Sequence, residues 1–482
     1  MNIRLLLHNV EILEEHGSLE VPIRFVSFDS RKIEEGSVYV AIPGTQVDGH
    51  RFIRSAIDKG AVAVVCEQIP PNPTPGVTFV RVRDSSLALG QIAAILYGRP
   101  TEKLKLVGVT GTNGKTTTAT LLFDLFRSLG YRAGLFSTIK NQINSRVIQS
   151  THSTPDAVQL SSLMRNMVDE GCTHCFMEVT SHGVQQNRVA GLRFCGGIFT
   201  NLTPEHLDYH HTLEAYLKAK KRFFNHLGEN AFALYNVDDP YGLEMVRDTK
   251  ARKYSYALEN SADFNADLMD NTISGLTLEI EGHAIHTKLI GSFNAYNLLA
   301  TYAAAILLEE EKSKIGPTLS ILNPIEGRFD WFISPNNVTG IVDFAHTPDA
   351  LKKILAAVHS TKATNARVIT VVGCGGDRDT EKRPVMARIA YEESDYLILT
   401  SDNPRTEDPD AIIQDMRQGL PRDYIERTDV IPDRLKAIHR ACSLAQTGDV
   451  ILVAGKGHEK YQDIMGEKLP FDDKALLREH LP

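Results

Sequence analysis

The chain has 482 residues, 42% of them apolar and 23% charged, with a formal net charge of −8 at pH 7. This length is too great for one core and predicts about three domains, and the acidic balance argues against the basic surface that nucleic-acid binding requires. Because no apolar run approaches the length of a membrane span, and because the six cysteines are too scattered for a disulfide framework, we expect a cytoplasmic protein with no membrane partner. We also expect a monomer, although no sequence feature determines the oligomeric state.

Two polar junctions divide the chain. The segment Tyr97–Lys103 contains Gly and Pro and separates a first α/β-like region from a new strand. The segment Asn323–Arg328 follows an Ala- and Leu-rich helical stretch and precedes another strand. The predicted domains are therefore residues 1–100, 101–327 and 328–482.

In the second and third domains, short β-rich runs alternate with helical patterns, which is typical of βαβ units and parallel sheets. The predicted fold class is α/β, with a central sheet like that of P-loop ATPases and a smaller, Rossmann-like doubly wound sheet at the C-terminus. The predicted strands are Leu106–Val109, Arg132–Phe136, Phe176–Val179, Gly197–Thr200, Val368–Val372, Tyr396–Thr400 and Val450–Ala454. The predicted helices are Thr116–Leu129, Asp156–Asp169, Lys382–Glu393 and Arg434–Ala445.

A glycine-rich loop follows the first central strand. In such a loop, backbone N–H groups curl around phosphate oxygens at a helix N-terminus, Lys115 can reach the β and γ phosphates, and Thr116 can ligate magnesium. This pattern predicts a nucleotide site, although the first glycine of the usual phosphate-loop pattern is replaced by Val109. The predicted nucleotide-binding residues in this loop are Gly111, Thr112, Asn113, Gly114, Lys115, Thr116 and Thr117. The loop by itself does not distinguish ATP from GTP.

Two further strand ends carry groups that could hold a metal. Glu178 and His206 each follow a predicted strand, and parallel strand ends meet at one edge of a sheet. A carboxylate suits magnesium well, whereas a histidine is an unusual magnesium ligand, and taken alone it is more often a structural or hydrogen-bonding residue. Cys172 and Cys175 form a lone C-x-x-C pair, to which we assign no metal.

Taken in order, the glycine-rich loop, the Glu178 strand, the segment Asn201–Asp208 and the segment Ala219–Lys221 resemble the Mur ligase family, which includes the ATP-dependent peptidoglycan-precursor ligases and also folylpolyglutamate synthetase. The resemblance spans nearly the whole chain. It implies three domains, for a uridine-diphosphate substrate, ATP and an incoming amino acid. It also implies that Lys220 is carbamylated and helps hold magnesium, together with Thr116, Glu178 and His206. Glu205 stands where the family usually has Asp, which keeps the charge.

The resemblance implies amide formation through an acyl phosphate, and it assigns catalytic roles to Lys115, Lys220, Glu178 and His206. Such chemistry depends on positioning and charge neutralisation, so no protein nucleophile is required. The family pattern also implies further nucleotide contacts, namely Asn294, Asn297, Arg328 and Asp343.

Segments of the first two domains resemble the family's contacts with a UDP-N-acetylmuramoyl dipeptide. Phe28–Arg31 and Asp48–Phe52 look like segments that grip the uridine diphosphate, and Thr151–Asp156 and Ser181–Arg188 look like muramoyl-peptide contacts. The residues that the resemblance assigns to this substrate are Ser30, Thr154, Ser181, Gln186 and Arg188.

Three C-terminal loops, at residues 375–379, 401–409 and 455–459, are expected to converge on one crevice, because each follows a predicted parallel strand. Two of them carry an arginine, Arg378 and Arg405. Two arginines with acidic partners there suit an amino acid that carries a second zwitterionic end, although a surface ion-pair cluster would also explain one of them. By resemblance, Asp402–Arg405, with the sequence DNPR, marks family members that add meso-diaminopimelate. The predicted diaminopimelate contacts are Arg378, Asp402, Asn403, Pro404, Arg405, Gly455 and Glu459.

Other functions are compatible with parts of this pattern. Another ligase of the same group could add lysine or a dipeptide, or act on folate, although a full first domain disfavours folate. A protein of a different class, a P-loop NTPase that hydrolyses nucleotide without ligating anything, would share the glycine-rich loop alone.

Overall fold

The computed structural model of the chain describes residues 1–44, 47–150 and 152–481. The N-terminal sheet has the strand order β1-β5-β4-β3-β2, in which β1 pairs antiparallel with β5 and the other pairs are parallel. Apolar runs such as Ala61–Cys66 lie almost fully buried in it. The strands are β1 (Ile12–His16), β2 (Phe25–Ser27), β3 (Ser37–Val40), β4 (Ala61–Cys66) and β5 (Thr78–Val82), and the helices are α1 (Ile3–Leu6), α2 (Ile53–Asp58) and α3 (Ser85–Leu96).

The central sheet has nine strands in the order β14-β13-β12-β11-β6-β10-β7-β8-β9. All pairs are parallel except β7–β8 and β8–β9, so the prediction of a mostly parallel sheet is confirmed. The strands are β6 (Lys105–Thr110), β7 (Ala133–Phe136), β8 (Lys140–Ile143), β9 (Arg146–Gln149), β10 (His174–Glu178), β11 (Gly196–Phe199), β12 (Phe232–Asn236), β13 (Arg252–Ala257) and β14 (Phe264–Asn265).

Helices cover both faces of this sheet, and a small antiparallel sheet packs beside it. The helices are α4 (Lys115–Ser128), α5 (Ala157–Asp169), α6 (Ser181–Gln185), α7 (Leu207–His210), α8 (Leu213–Asn225), α9 (Gly242–Val246), α10 (Ser292–Leu307) and α11 (Lys312–Ile321). The small sheet contains β15 (Asp267–Thr272), β16 (Gly275–Ile280) and β17 (His283–Thr287).

The C-terminal sheet has the order β18-β19-β23-β20-β21-β22 and is parallel except for β18. A separate hairpin, β24–β25, follows it. The strands are β18 (Asp330–Ile333), β19 (Thr339–Asp343), β20 (Val368–Val372), β21 (Tyr396–Leu399), β22 (Thr428–Val430), β23 (Val450–Ala454), β24 (Tyr461–Ile464) and β25 (Glu467–Pro470). The helices are α12 (Pro348–Thr361), α13 (Lys382–Glu392), α14 (Pro409–Arg417), α15 (Arg434–Leu444) and α16 (Asp473–His480).

The parallel pairing explains where side chains of different segments meet. Strand β6 lies between β10 and β11, so the loop after β6 lies beside the ends of both neighbours. Strand β23 likewise lies between β19 and β20. Both sheets therefore present polar loops at the carboxyl ends of their strands, which is where ligands bind in open α/β sheets.

Across the part of the chain that the structure describes, no helix has both the length and the apolar character needed to cross a membrane.

Candidate active site

A cavity of about 1080 Å³ lies between the central and C-terminal sheets, and loops from both line it. It brings together predicted residues that are up to 347 positions apart in the chain, from Thr112 to Glu459. The predicted residues that line it are Thr112, Asn113, Gly114, Lys115, Thr116, Thr117, Glu178, Ser181, His206, Lys220, Asn294, Asn297, Arg328, Asp343, Arg378, Asp402, Asn403, Arg405, Gly455 and Glu459.

The glycine-rich loop takes its shape from two left-handed glycines. Gly111 has a φ of 151° and Gly114 a φ of 84°. A Cβ atom on Gly111 would lie only 1.9 Å from Oγ1 of Thr200, so no other residue fits without displacing that strand end. The loop runs directly into α4, which starts at Lys115. Its amides and a helix N-terminus therefore face the cavity, as phosphate binding requires.

Two lysines meet at this loop. Lys115 Nζ donates to the backbone oxygens of Gly111 at 2.9 Å and of Thr112 at 2.6 Å. Lys220, which lies on α8 and is only 1% exposed, also donates to Gly111, at 2.8 Å. Burial, followed by the nearby charge of Lys115, lowers the pKa of Lys220 well below its ordinary value. The site therefore favours the neutral amine of Lys220.

The Glu178 carboxylate lies at the end of β10 and is 1% exposed. It accepts hydrogen bonds from Thr116 Oγ1 at 2.9 Å, from the Thr138 amide at 2.6 Å and from Thr138 Oγ1 at 3.1 Å. Thr116 and Glu178 thus present adjacent oxygen atoms at the start of α4.

Glu205 and His206 also line this part of the cavity. His206 has a left-handed backbone, with a φ of 57°, and its Nε2 lies 3.7 Å from Oε2 of Glu205. Burial lowers the pKa of His206 to about 4, although Glu205 opposes the shift, so the ring is neutral near pH 7. Burial alone would raise the pKa of Glu205, but Lys115 and the other neighbouring bases outweigh it and lower the value to about 2.

The donor set fits magnesium at its carboxylate end. Thr116 and Glu178 supply hard oxygen atoms, and magnesium takes few protein ligands when phosphates and waters complete its shell. An unmodified, protonated Lys220 would repel a cation, whereas a carbamate on Lys220 would supply oxygens of the required kind. Within the described residues, no group of three or more His, Cys, Asp and Glu side chains is arranged to hold a metal by itself.

The segment that enters the C-terminal domain lies against the same cavity. Arg328 donates to Thr116 Oγ1 at 3.2 Å and lies 4.5 Å from the centre of the Phe344 ring. The Asp343 carboxylate accepts the amides of Phe329 at 2.6 Å and Ala345 at 2.7 Å, and burial raises its pKa to about 6. Asp343 therefore holds the two chain segments together in this structure.

The predicted adenine-contacting residues lie at the start of α10. The Asn297 amide donates to Oδ1 of Asn294 at 2.9 Å, and its own Oδ1 accepts from Thr118 Oγ1 at 3.3 Å. Both asparagines are buried, at 3% and 5% exposure, so their hydrogen bonds set their orientation.

Three C-terminal loops meet at the far end of the cavity. Arg405 has a left-handed backbone, with a φ of 51°, and its guanidinium donates to the backbone oxygen of Gly376. Its backbone pairs with the β24–β25 hairpin, since its amide donates to Asp463 O at 3.0 Å and its carbonyl accepts from Met465 N at 2.7 Å. Arg378 is exposed beside it and lines the same wall.

Six predicted residues lie outside the cavity lining. Thr154 is 1% exposed, and its hydroxyl donates to the Glu178 backbone oxygen at 2.9 Å. Arg188 donates to Thr154 O at 2.8 Å and also contacts Gln186. Ser30 lies in the N-terminal domain, where its carbonyl accepts from Lys59. The other two are Gly111 and Pro404. Thr151, from the muramoyl-like segment, lies outside the described residues.

The sequence analysis missed three residues that the structure brings to the site. Asp349 Oδ2 accepts from Asn113 Nδ2 at 2.8 Å and from Thr203 Oγ1 at 3.2 Å, which joins α12 to the glycine-rich loop. Glu205, which departs from the family pattern, lines the cavity and lies close to Lys115. Lys456 lies under the C-terminal loops with 0% exposure. Its position between two glycines of the 455–457 loop was the one available signal.

Three family profiles match the chain. They are described as "Mur ligase family, catalytic domain" over residues 22–97, "Mur ligase middle domain" over residues 109–305, and "Mur ligase, glutamate ligase domain" over residues 327–457. Together they span most of its length.

Relatives match over the whole chain. A protein of Cytophaga hutchinsonii named UDP-N-acetylmuramoyl-L-alanyl-D-glutamate–2,6-diaminopimelate ligase is 51% identical and covers 100% of this chain and 99% of its own. A protein of the same name from Bacteroides thetaiotaomicron is 50% identical and covers 98% of each chain. A solved structure of a ligase of that name is 32% identical, with a TM-score of 0.72, and covers 100% of this chain and 98% of its own.

A structure described as MurF from Acinetobacter baumannii matches at 17% identity with a TM-score of 0.64, and it covers 94% of this chain and 95% of its own. At this identity the match indicates a shared fold and nothing more. The profile matches and the relatives of about 50% identity agree along the entire sequence. The chain belongs to the Mur ligase family.

Proposed function

We propose that the protein is an ATP-dependent ligase that joins meso-2,6-diaminopimelate to UDP-N-acetylmuramoyl-L-alanyl-D-glutamate, with release of ADP and phosphate. One observation carries the proposal. A glycine-rich phosphate loop and a set of loops bearing Arg405, Arg378 and Glu459 face each other across one cavity. An ATP phosphate and a doubly zwitterionic amino acid can therefore approach the same carboxylate. The name shared by the relatives of about 50% identity supports the same substrates.

In the proposed reaction, a substrate carboxylate attacks the γ-phosphate of ATP to give an acyl phosphate. The amine of the amino acid then attacks the acyl carbon, a tetrahedral intermediate forms, and phosphate leaves. The amides of the glycine-rich loop and Lys115 would hold the phosphates in line for the first step. The neutral His206 and the Glu205 carboxylate lie beside this loop, where the negative charge of Glu205 would offset the positive charge of Lys115.

Magnesium would neutralise charge on the phosphates when bound, held by Thr116 and Glu178, with His206 and a carbamylated Lys220 completing the protein's share. The burial of Lys220 supports carbamylation, because only a neutral amine adds to carbon dioxide. Asn294, Asn297, Arg328 and Asp343 would contact the rest of ATP.

The domains would divide the substrates among them. Residues 1–100 would bind the uridine diphosphate through Ser30, residues 101–327 would bind ATP, and residues 328–482 would bind the amino acid. Thr154, Gln186 and Arg188 lie outside the cavity lining and interact with one another, so they would support the muramoyl-peptide wall around Ser181. We expect a monomer acting in the cytoplasm, where ATP and nucleotide-linked precursors are found.

The test is a product assay with purified protein, ATP, magnesium, the UDP-muramoyl dipeptide and a panel of amino acids. The expected result is phosphate release only when both the dipeptide and meso-diaminopimelate are present, with a UDP-muramoyl tripeptide detected by mass. Steady phosphate release with neither acceptor would instead identify a nucleotide hydrolase. A product with L-lysine alone would identify a lysine-adding ligase.

A further inference from the structure

Lys456 is a fully buried cation that the proposed chemistry does not use. It follows β23 and has 0% exposure, and it does not line the cavity. Its Nζ donates to Oδ1 of Asn403 at 2.9 Å and lies 3.4 Å from Oε2 of Glu459. A buried charge is costly unless it is paired and hydrogen-bonded, so this ammonium must stabilise its neighbours.

The hydrogen bonds of Asn403 allow only one orientation of its amide. Its Oδ1 accepts from Lys456 Nζ and also from the Asp463 amide, at 2.9 Å in each case. Its Nδ2 must therefore face the other way, and it donates to Oε2 of Glu459 at 2.7 Å. One N–H of this group remains for a ligand, because an amide nitrogen carries two donors. Asn403 is 3% exposed yet lines the cavity, so its amide can present a donor there.

The Glu459 carboxylate is held through one of its two oxygen atoms. Oε2 is engaged by Asn403 and Lys456, which leaves Oε1 as the oxygen available to the cavity. Asp402, which is 7% exposed, lies on the same wall. Burial and the charge of Asp402 raise the pKa of Glu459, while Lys456 and the bond from Asn403 act in the opposite direction. Arg434, the other buried cation near these loops, is paired with Asp473 and donates to the backbone oxygens of Ser401 and Ala454. Without Lys456, no buried cation among the described residues would contact the side chains of Asn403 and Glu459 directly.

We propose that Lys456 is a positioning residue for amino-acid selection. It orients the Asn403 amide so that its free N–H can donate to the incoming amino acid, and it holds the Glu459 carboxylate as the acceptor for that amino acid's second ammonium. The inference rests on the proposed function and extends it to the recognition of that ammonium. Arg405 lies on the same loop as Asn403, and the Asp463 residue that contacts Asn403 through its amide also accepts the Arg405 amide. The Asn403 donor, the Glu459 acceptor and Arg405 are therefore held together as one binding site for a carboxylate and an ammonium on the same carbon.

The experiment compares wild type with Lys456→Met in the full chain, with meso-diaminopimelate and with 2-aminopimelate, which lacks the second ammonium. We expect wild type to prefer meso-diaminopimelate strongly. In Lys456→Met, the KM for meso-diaminopimelate should rise by about tenfold or more, and the preference over 2-aminopimelate should largely disappear. The KM values for ATP and the UDP-muramoyl dipeptide should stay within about twofold. A purely structural role would not change the preference between two amino acids.

Lys362→Met is the matched control. Lys362 lies in the same domain, is half-buried and donates to the Ala366 carbonyl at 2.7 Å, away from the cavity. This variant should keep the wild-type preference. Lys456→Gln is a second variant in case Lys456→Met folds poorly, because it removes the charge but keeps a donor for Asn403, and it should also lose much of the preference.

An unchanged preference in both Lys456 variants would overturn the inference. Equal losses for all three substrates, with the preference between amino acids intact, would also overturn it and identify Lys456 as a structural residue. If wild type joined a different amino acid, the proposed function would be wrong. Lys456→Met would then still be expected to raise the KM for that amino acid alone, so the two failures can be told apart.

Discussion

Lys115 and Lys220 donate hydrogen bonds to one acceptor, the backbone oxygen of Gly111, at 2.9 and 2.8 Å. Two protonated amines so close together would repel each other, and the buried Lys220 has the lowered pKa. The two lysines therefore share one acceptor but differ in burial, since Lys220 is buried and Lys115 is only half-buried. Lys115 belongs to the loop that faces the phosphates, and Lys220 is a buried amine suited to modification.

The first prediction concerns Lys220. Lys220→Ala should lower kcat by about a hundredfold or more, because the proposed carbamate on Lys220, an anionic group that would help hold magnesium at the phosphates, is lost. ATP binding should change little, since the loop amides and Lys115 remain. The measurements are steady-state kinetics and nucleotide titration. Lys221→Ala is the control, because Lys221 is the next residue but pairs with Glu244 and Asp248. Wild-type turnover in Lys220→Ala would remove this residue from the proposed mechanism.

The second prediction concerns Arg405. Losing a bidentate contact with the distal carboxylate of diaminopimelate, in a dehydrated crevice, should cost on the order of 2–5 kcal/mol in kcat/KM. Arg405→Ala should show this loss for diaminopimelate and little change for ATP or the muramoyl substrate. Arg405→Lys should rescue little, because a point charge cannot reproduce the planar fork. Arg440→Ala, which removes a surface arginine paired with Asp429, is the control. If Arg405→Ala still discriminated against L-lysine, this loop would not be the part of the protein that recognises the distal carboxylate.

The third prediction concerns Asp349, which links α12 to the glycine-rich loop through Asn113. Asp349→Ala should lower kcat/KM about tenfold, because a hydrogen bond to a charged group is lost where the two domains meet. Asp410→Ala is a close control, since both residues follow a proline in the first turn of a helix and Asp410 is exposed. Equal activities in the two variants would show that the interdomain contact has no role in turnover.

The fourth prediction concerns Arg383, which is 2% exposed and pairs with Glu407 at 2.8 Å and Asp415 at 2.9 Å. Arg383→Met should destabilise the C-terminal domain by about 1–3 kcal/mol, since both partners are partly exposed and can regain water. Glu407 also accepts the Asp377 amide beside Arg378, so diaminopimelate use should fall as well. Thermal unfolding and kinetics measure the two effects. Arg388→Met, on the exposed side of the same helix, should change neither.

Much of the fold could be predicted from the sequence, for a physical reason. Val368–Val372 and Val450–Ala454 are continuous runs of mostly β-branched residues, and the structure has strands with these same limits. Strands buried on both faces need such runs, and the polar loops that follow them need glycine and charge. The glycine-rich loop could be predicted in the same way, because its glycines, lysine and threonines are neighbours in the chain.

Contacts between distant segments were decided by the tertiary structure alone. Asn113 and Asp349 are 236 positions apart, and no local pattern marks them as partners. Lys456 sits between two glycines and looks like part of a flexible turn, yet it is fully buried against Asn403 and Glu459. Local sequence determines which strands and turns form, since propensity and periodicity act over a few residues. Which side chains become buried together depends on how the two sheets pack, because burial and the strength of charge pairing are properties of the assembled structure.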